Sequence, residues 1–440
     1  MRILFVCLSE PWTPYSPSIA ALSAAVRASG HEPACLSIPL ETSVREAADK
    51  IAALAPDVVG ASVMTRDWPG IRTLLLRVKQ RSPTFVVVGG YHATLAARQV
   101  SKCAAVDAVC IGEGELSLPT LLDTLERGDR PVSRRGLWVR GPDGFDDPIP
   151  PGGAADDIAT LPSWDYEVFG PVSDLLARGI NILGGKKDRF LPTRASRGCP
   201  FNCTYCSAPR WGKASGFDGE GKRNVHPVTD LCNELASLRD RHQPDGFEFW
   251  DEHFPVDVAW LAELAREYPR RVGLPFRIEM HPSAATRERL EHLATAGCSL
   301  FHCGVEAGDP VYRKNVLNRR SSDATLQRVF DDAHELGMET SASVMMALPS
   351  ETVRQVEMTL ELLRRLKPRH VICSTYVPLP GTTLGGEMFE LETPDVERFD
   401  DFRKCAPVID YPRMTGDEVD DLHRRFAELQ RELDAQSVGR

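Results

Sequence analysis

The sequence predicts an α/β protein with a doubly wound N-terminal domain, a partial barrel of six strand–helix units and a short C-terminal helical tail. Two observations predict this fold class. Apolar, β-branched runs alternate with segments of helical period in both halves of the chain, and a stretch rich in Pro, Gly and Asp separates the two series. The predicted boundaries are 1–130 for the first domain, 131–189 for the linker, 190–384 for the barrel and 385–440 for the tail.

Composition limits the classes of function. The chain has 440 residues, 42% of them hydrophobic and 26% charged, which is enough to build cores for two or three domains. Its 52 Lys and Arg residues against 62 Asp and Glu residues give a formal net charge of −10, which disfavours general nucleic-acid binding. No apolar run approaches the roughly 18 residues of a membrane span, and no secretory leader is recognisable. We therefore expect a cytoplasmic protein without nucleic-acid or membrane partners.

Five parallel strands joined by crossover helices are predicted in the first domain, as in a doubly wound, Rossmann-like sheet. The strands are Ile3–Leu8, Pro33–Ile38, Asp57–Met64, Thr84–Gly89 and Asp107–Ile111. The helices between them include Ile19–Ser29, Val44–Leu54 and Ile71–Arg81. A further small strand is predicted within the linker, at Gly136–Arg140. Ligands of such sheets bind beyond the carboxyl ends of the strands, so the loops there carry the candidate binding residues.

The same alternation predicts six strand–helix units in the second domain. The strands are Phe190–Ser196, Gly246–Asp251, Pro275–Met280, Leu300–Val305, Glu339–Ala347 and His370–Val377. The helices include Val228–His242, Ala284–Ala296, Ser322–Leu336 and Glu351–Lys367, and the tail is predicted to be helical over Thr415–Asp434. A barrel of this kind places its site at the carboxyl ends of its strands.

Three cysteines, Cys199, Cys203 and Cys206, follow the first barrel strand directly. Three thiolates suit three corners of a cubic iron–sulfur cluster and leave the fourth iron open to another ligand. A structural zinc site is the alternative. It needs a fourth ligand, and neither a second Cys-x-x-Cys nor a paired His-x-x-x-His is present in the sequence.

The Cys-x-x-x-Cys-x-x-Cys spacing after the first strand of a six-unit barrel resembles the radical S-adenosylmethionine (SAM) superfamily. The resemblance implies a 4Fe-4S cluster on Cys199, Cys203 and Cys206, with the open iron chelated by SAM. It also implies reductive cleavage of SAM to a 5′-deoxyadenosyl radical that abstracts hydrogen from a small-molecule substrate. Tyr205 corresponds to an aromatic residue near the adenine in that family. A flavodoxin- or ferredoxin-type protein, or a dedicated reductase, would supply the electron.

Later strand ends carry further segments similar to this family. Asp251 and Glu252 end the second strand, where the family often has an acidic pair, and Asp251 or Glu252 would meet the SAM ammonium; solvated loop acids are the alternative. Glu306 lies in Gly-Val-Glu-Ala-Gly, which resembles the ribose-binding motif of the fourth strand. Leu348–Thr352 also resembles a family segment, with a simple turn as the alternative. Further candidate SAM contacts lie on the fifth strand and at the end of the sixth: Ser341, Ser343 and Tyr376.

Acid and base groups at the predicted strand ends are candidates for proton transfer, although most such groups are expected to be structural. A catalytic acid or base must lie where substrate can reach it and must titrate near the working pH. The candidate catalytic residues are Glu252, His253, Glu279, His281 and His302.

Two segments of the first domain, Val88–Thr94 and Ile111–Glu115, resemble the cobalamin-binding-type Rossmann domain that precedes many radical SAM barrels. The resemblance implies cobalamin at the strand ends, where glycines would let the backbone approach a large flat ligand. The Asp-x-His-x-x-Gly motif that ligates cobalt elsewhere is absent, and for His92 packing within the loop is favoured over cobalt ligation. The candidate cobalamin-binding residues are Gly89, Gly90, His92, Gly112 and Glu113.

Three functions follow from these resemblances. The first is cobalamin-dependent C-methylation of a small molecule, in specialised metabolism such as that of sugars or aminoglycosides. The second is cobalamin-independent dehydration of a diol, as in aminoglycoside antibiotic biosynthesis, which the short tail and the bulky first-domain loops favour. The third is a cobalamin- or cluster-sensing module without catalysis, which is disfavoured because the strand-end residues suit SAM better than a partner surface.

Overall fold

The computed structural model describes residues 1–9, 15–147, 149–155, 157–179, 183, 188–216, 224–385, 400, 402 and 413–437. The chain divides into two compact units. The first unit comprises Met1–Leu175, Cys206–Asn224 and Leu379–Val408. The second comprises Leu176–Tyr205, Val225–Pro378 and Ile409–Arg440. Within the described ranges, no helix has both the length and the apolar character needed to cross a membrane.

The first unit is built on a seven-stranded sheet. Its strands are β1 (Arg2–Ser9), β2 (Glu32–Pro39), β3 (Val58–Ser62), β4 (Phe85–Gly89), β5 (Ala108–Cys110), β6 (Leu137–Gly141) and β7 (Gly144–Phe145). Their order across the sheet is β2-β1-β3-β4-β5-β6-β7. The first five strands pair in parallel, while β6 and β7 extend the edge in antiparallel fashion. The doubly wound fold predicted from the sequence is confirmed, and the small strand predicted in the linker belongs to this sheet.

Helices cover both faces of this sheet. They are α1 (Pro17–Ala28), α2 (Val44–Leu54), α3 (Trp68–Lys79), α4 (Tyr91–Leu95), α5 (Ala97–Ser101) and α6 (Ser117–Glu126), followed by α7 (Val172–Arg178). Ser43 caps the N-terminus of α2, and its side-chain hydroxyl accepts a hydrogen bond from the Glu46 backbone amide. Phe5 and Val6, neighbours in β1, belong to opposite hydrophobic cores, because successive strand residues point to opposite faces.

The second unit is built on an open sheet of six parallel strands, ordered β15-β14-β13-β12-β11-β8. Two short strands, β9 and β10, form a separate ladder. The strands are β8 (Phe190–Thr193), β9 (Ser196–Arg197), β10 (Asn224–Val225), β11 (Gly246–Phe249), β12 (Phe276–Glu279), β13 (Cys298–Glu306), β14 (Glu339–Met346) and β15 (His370–Thr375). The predicted partial barrel of six strand–helix units is confirmed.

The remaining helices follow the strands in sequence. They are α8 (Ala208–Ala214), α9 (Val228–His242), α10 (Val258–Arg271), α11 (Arg287–Ala296), α12 (Pro310–Asn315), α13 (Asp323–Glu335), α14 (Val353–Leu366) and α15 (Gly416–Ser437). Helix α14 begins with a capping box, in which Thr352 and Gln355 satisfy each other's backbone amides. Helix α15 confirms the helical tail. Short 3₁₀ turns occur at Ile158–Thr160, Tyr166–Phe169 and Pro282–Ala284.

Candidate active site

The cysteine loop begins two residues after β9 ends at Arg197. The Cys203 side chain is buried, whereas Cys199 and Cys206 are partly buried. Three soft sulfur donors in one short loop can bind three irons of a cubic cluster and leave its fourth iron to another ligand. The donor chemistry of the loop therefore fits a 4Fe-4S cluster.

The acidic pair after β11 holds the segment that leads into the cysteine loop. Asp251 is one of the two residues predicted to meet the SAM ammonium, and its two carboxylate oxygens accept hydrogen bonds from the Ala195 amide (3.0 Å) and the Ser196 hydroxyl (2.5 Å). Glu252 accepts a bond from the Gly198 amide at 3.2 Å and forms an ion pair with Arg194 at 3.6 Å. The Asp251 carboxylate therefore positions backbone next to the loop, and its contact with the SAM ammonium stays a prediction.

Buried imidazoles pack against the cysteine loop. The Phe201 ring stacks on His281 with centroids 3.9 Å apart and lies 5.1 Å from His253. Burial lowers the pKa of His281 to about 2 and that of His302 to about 4, and His302 Nδ1 lies 2.9 Å from the Ser341 hydroxyl. An imidazole with so low a pKa is a poor proton donor near neutral pH. His253 and His281 pack on Phe201, and proton transfer by His253, His281 or His302 stays a prediction.

Glu279, at the end of β12, has the environment that proton transfer requires. Its side chain is partly exposed, and burial together with the charge of Glu306 raises its pKa to about 7. Among the residues that the structure describes, no side chain donates a hydrogen bond to its carboxylate. A carboxyl that titrates near neutrality can both accept and give a proton, so Glu279 is the strongest of the predicted acid–base candidates.

Glu306, at the end of β13, belongs to a buried network around Arg319. The Arg319 guanidinium donates to the Gly304 carbonyl (2.5 Å), to the Tyr205 hydroxyl (3.1 Å) and to the Cys203 sulfur (3.6 Å). It also lies 3.5 Å from the Glu306 carboxylate. The network brings together the predicted ribose-binding glutamate, the predicted adenine-side aromatic and one cluster cysteine. Sequence reasoning missed Arg319, because its segment Asn-Arg-Arg reads as an exposed basic run.

The other predicted SAM contacts lie in different surroundings. Ser341 is fully buried, and its hydroxyl is hydrogen-bonded to His302 Nδ1. Ser343, two residues further along β14, is partly exposed. Tyr376 is buried just after β15. Contact of Ser343 and Tyr376 with SAM stays a prediction.

The segment Leu348–Thr352 forms the turn between β14 and α14. Ser350 has a φ of 62°, a conformation that favours glycine, which many relatives in this resemblance have at this position. The Glu351 side chain is fully buried and accepts a hydrogen bond from the Leu348 amide at 3.2 Å. Its other oxygen has no hydrogen-bond partner within the described part of the chain. Burial raises the pKa of Glu351 to about 7.

Replacing Glu351 with Gln is expected to stabilise the protein at alkaline pH. The folded state binds the Glu351 proton more tightly than the unfolded chain, whose pKa is near 4.5. The contribution of Glu351 to the free energy of unfolding is therefore fully present below pH 4.5 and is lost as the pH rises through about 7. The neutral amide avoids this loss, which amounts to about 3 kcal/mol in the free energy of unfolding. Urea midpoints at about pH 5 and about pH 8.5 measure the difference.

The matched control for this prediction is Glu361→Gln, on helix α14 that follows Glu351; the Glu361 side chain is 56% exposed in an ion pair with Arg354. It should leave the pH dependence of stability nearly unchanged, because exposed pairs contribute little. Equal midpoint shifts at both pH values for Glu351→Gln would contradict a buried, proton-binding carboxyl.

In the first unit, the predicted glycines make room for the chain's own backbone. Gly90 has a φ of 92°, and a Cβ there would lie 2.7 Å from the Val63 amide nitrogen. Gly112 has a φ of 76°, and a Cβ there would lie 2.6 Å from the Gly153 carbonyl oxygen. Side chains are thus excluded by backbone within the unit. Backbone packing is therefore one reason for glycine at these positions, and the approach of a ligand stays a prediction.

Glu113 and Gly89 also contact neighbouring parts of the unit. The Glu113 amide donates to the Gly153 carbonyl at 2.7 Å, and its carboxylate accepts from the Ala155 amide at 3.0 Å. A Cβ at Gly89 would lie 3.2 Å from the Cys110 side chain. Glu113 therefore anchors the segment after residue 151 to the end of β5.

His92 is a packing residue in this structure, as the favoured alternative predicted. Its side chain is fully buried, its ring stacks on Trp68 at 5.7 Å, and Nδ1 lies 3.3 Å from the Thr65 hydroxyl. Burial lowers its pKa to about 4. At the same strand end, Met64 is 46% exposed and Arg66 is also exposed. Ligands of such sheets bind at these strand ends, and cobalt ligation by His92 remains the disfavoured alternative.

Comparisons with known proteins agree with this two-unit architecture. The family model for the B12 binding domain matches residues 2–122, and the model for the radical SAM superfamily matches residues 193–363. The second match includes the cysteine loop and Glu306. The chain belongs to the radical SAM superfamily. In this radical SAM protein, a B12-binding domain precedes the catalytic one.

Relatives of this radical SAM protein align with most of its length. An uncharacterized methyltransferase from Pyrococcus horikoshii is 23% identical over 84% of this chain and 77% of its own. An anaerobic magnesium-protoporphyrin IX monomethyl ester cyclase from Rubrivivax gelatinosus is 24% identical over 88% of this chain and 68% of its own. Among solved structures, the radical SAM methyltransferase TsrM from Kitasatospora setae, with cobalamin and a [4Fe-4S] cluster bound, aligns with a TM-score of 0.67. That alignment covers 90% of this chain and 78% of TsrM at 18% identity.

The radical SAM assignment implies three cofactors, namely a 4Fe-4S cluster, SAM and cobalamin. The cysteine loop offers the donor set for the first, and Glu306 offers two acceptor oxygens for the ribose diol of the second. The domain pair is that of cobalamin-dependent radical SAM methylases, so the protein is an enzyme of the radical SAM methyltransferase kind.

Proposed function

We propose that this enzyme transfers a methyl group from SAM to a carbon atom of a small-molecule substrate, in a cobalamin-dependent radical reaction in the cytoplasm. The observation that carries the proposal is the combination, in one chain, of a B12-binding domain with a radical SAM barrel whose cysteine loop and ribose motif are both in place. The polar groups at the strand ends suit a sugar-like specialised metabolite.

The cysteine loop and the end of β13 would hold the cluster and SAM. Cys199, Cys203 and Cys206 would bind three irons, and Glu306 would accept hydrogen bonds from the ribose hydroxyls. When bound, the cluster and SAM supply a 5′-deoxyadenosyl radical, and cobalamin supplies a methyl group taken from a second SAM. The chain's own part is to hold these groups. Phe201, packed on His281, would help to hold the cysteine loop in place.

Two partners belong to the proposal. The one-electron step requires an external reductant, and a flavodoxin- or ferredoxin-type protein or a dedicated reductase would supply it. The substrate is a small molecule, because net charge −10 disfavours nucleic acid.

Glu279 favours a second candidate function, the cobalamin-independent dehydration of a diol. In that reaction hydrogen abstraction at a carbinol carbon acidifies its hydroxyl, and a base must then remove the hydroxyl proton. A partly exposed carboxyl with a pKa of about 7 suits this role. In the methylation reaction Glu279 would instead orient the substrate through a hydrogen bond.

Analysis of the two products of SAM distinguishes the candidates. The reconstituted protein would be given SAM and titanium(III) citrate under anaerobic conditions, with and without hydroxocobalamin. Methylation predicts S-adenosylhomocysteine that forms only with cobalamin, because a methyl group must leave SAM. Deoxyadenosine alone, formed equally with and without cobalamin, would contradict methylation and support dehydration.

A further inference from the structure

A single buried guanidinium, that of Arg319, joins the cysteine loop to the end of β13. The side chain is only 7% exposed. Its Nη1 atom donates to the Cys203 sulfur and to the Tyr205 hydroxyl, and the same nitrogen lies 3.5 Å from the Glu306 carboxylate. The Arg319 amide also donates to the Arg313 carbonyl, which fixes the backbone at this point.

The groups around Arg319 are acidic or polarisable. Cys203, Tyr205, Cys303 and Glu306 all favour its charged form, and burial opposes it. The same cation counteracts the rise in the pKa of Glu279 and of Glu306 that burial causes. A buried cation remains charged when several acceptors surround it, so Arg319 carries a full positive charge next to one predicted cluster ligand.

We infer that Arg319 is a positioning residue with two tasks: it hydrogen-bonds the Cys203 sulfur beside the cluster, and it holds the Glu306 carboxylate for the SAM ribose. The first task rests on the radical SAM assignment alone and holds for methylation and dehydration alike. The second follows from geometry, since Nη1 contacts both the sulfur and the carboxylate while Nη2 donates to the Gly304 carbonyl, an arrangement that needs the planar guanidinium fork.

Each task has its own measurable consequence. A reduced cluster carries one more negative charge than an oxidised one, so a nearby cation and an N–H···S bond stabilise the reduced form. Removing the cation should therefore shift the midpoint potential to more negative values. Removing the fork should free the Glu306 carboxylate to rotate, and SAM affinity should fall about tenfold, the usual effect of losing a hydrogen bond to a charged group.

The experiment compares Arg319→Gln and Arg319→Lys after anaerobic reconstitution. Midpoint potentials are measured by redox titration followed by electron paramagnetic resonance, and SAM affinity by equilibrium dialysis. Arg319→Gln should show both the negative shift and the weaker SAM binding. Arg319→Lys keeps the charge but not the fork, so it should restore much of the potential and still bind SAM weakly.

Arg313 provides a matched control, because it is also buried, at 1% exposure, and contacts the Ser321 and Ala307 carbonyls and Asp323. Arg313→Lys should lower stability but leave the midpoint potential unchanged. If Arg319→Gln does not fold, Arg319→Lys alone decides, since wild-type SAM affinity in that variant overturns the inference. An unchanged potential in a folded Arg319→Gln variant with normal iron content overturns it as well.

Discussion

Replacing Cys203 with Ala is expected to abolish the formation of 5′-deoxyadenosine from SAM. Cys203 is the buried member of the cysteine loop, and its sulfur accepts a hydrogen bond from Arg319. Without it, two thiols remain for a cluster that needs three, so iron content and the cluster's visible absorption should fall together. Activity should drop to background, because cluster and SAM cleavage depend on each other. The measurements are iron analysis and chromatography of deoxyadenosine on the reconstituted protein.

Cys232→Ala is the matched control for this experiment. Cys232 is fully buried in α9, outside the cysteine loop, so its truncation costs packing but no cluster ligand. It should retain iron and deoxyadenosine formation. Turnover by the Cys203→Ala variant with its iron lost would show that the reaction does not use the cluster, and the functional account would fall.

Replacing Gly90 with Ala is expected to destabilise the first unit by about 4 kcal/mol or more, a loss seen for only a few kinds of substitution. The backbone φ of 92° is strained for any side chain, and the new Cβ would meet the Val63 backbone at 2.7 Å and 2.9 Å. The backbone directly after β3 would have to move. The free energy of unfolding, followed by circular dichroism in urea, measures the loss.

Gly30→Ala separates the two causes of this effect. Gly30 also has a positive φ, 84°, but a Cβ there would meet nothing within 4 Å. It should cost only about 1 kcal/mol, the strain of the left-handed conformation. Equal losses for the two variants would mean that the backbone next to Gly90 gives way easily, and the close packing of this loop would then not explain the glycine.

The sequence predicted the fold well because strand patterning is a local property. Apolar runs such as Ile3–Leu8 lie within β1, and the predicted helix Val228–His242 has the bounds of α9. The cysteine loop was predictable for the same reason, since its three donors are close in sequence. Helix α8, which begins two residues after Cys206, was not predicted, because Pro209 and Gly212 obscure its short helical pattern.

The roles of individual side chains depended on contacts between distant segments. Asp251 reads as a free acid at a strand end, yet Ser196 and Ala195 occupy its oxygens across 55 and 56 residues of chain. His281 reads as a base, but burial lowers its pKa to about 2, which makes the imidazole a weak one. Arg319 has no motif of its own. Such roles follow from packing, which a single sequence does not display.

Metal analysis of the reconstituted protein tests the central claim most directly. The protein would be reconstituted anaerobically with iron and sulfide, offered excess hydroxocobalamin, desalted, and analysed for iron and cobalt. A cobalamin-dependent radical SAM methylase predicts about four irons and about one cobalt per chain. Four irons without cobalt would contradict methyl transfer and make the first domain a scaffold, while protein that binds neither metal would contradict the account as a whole.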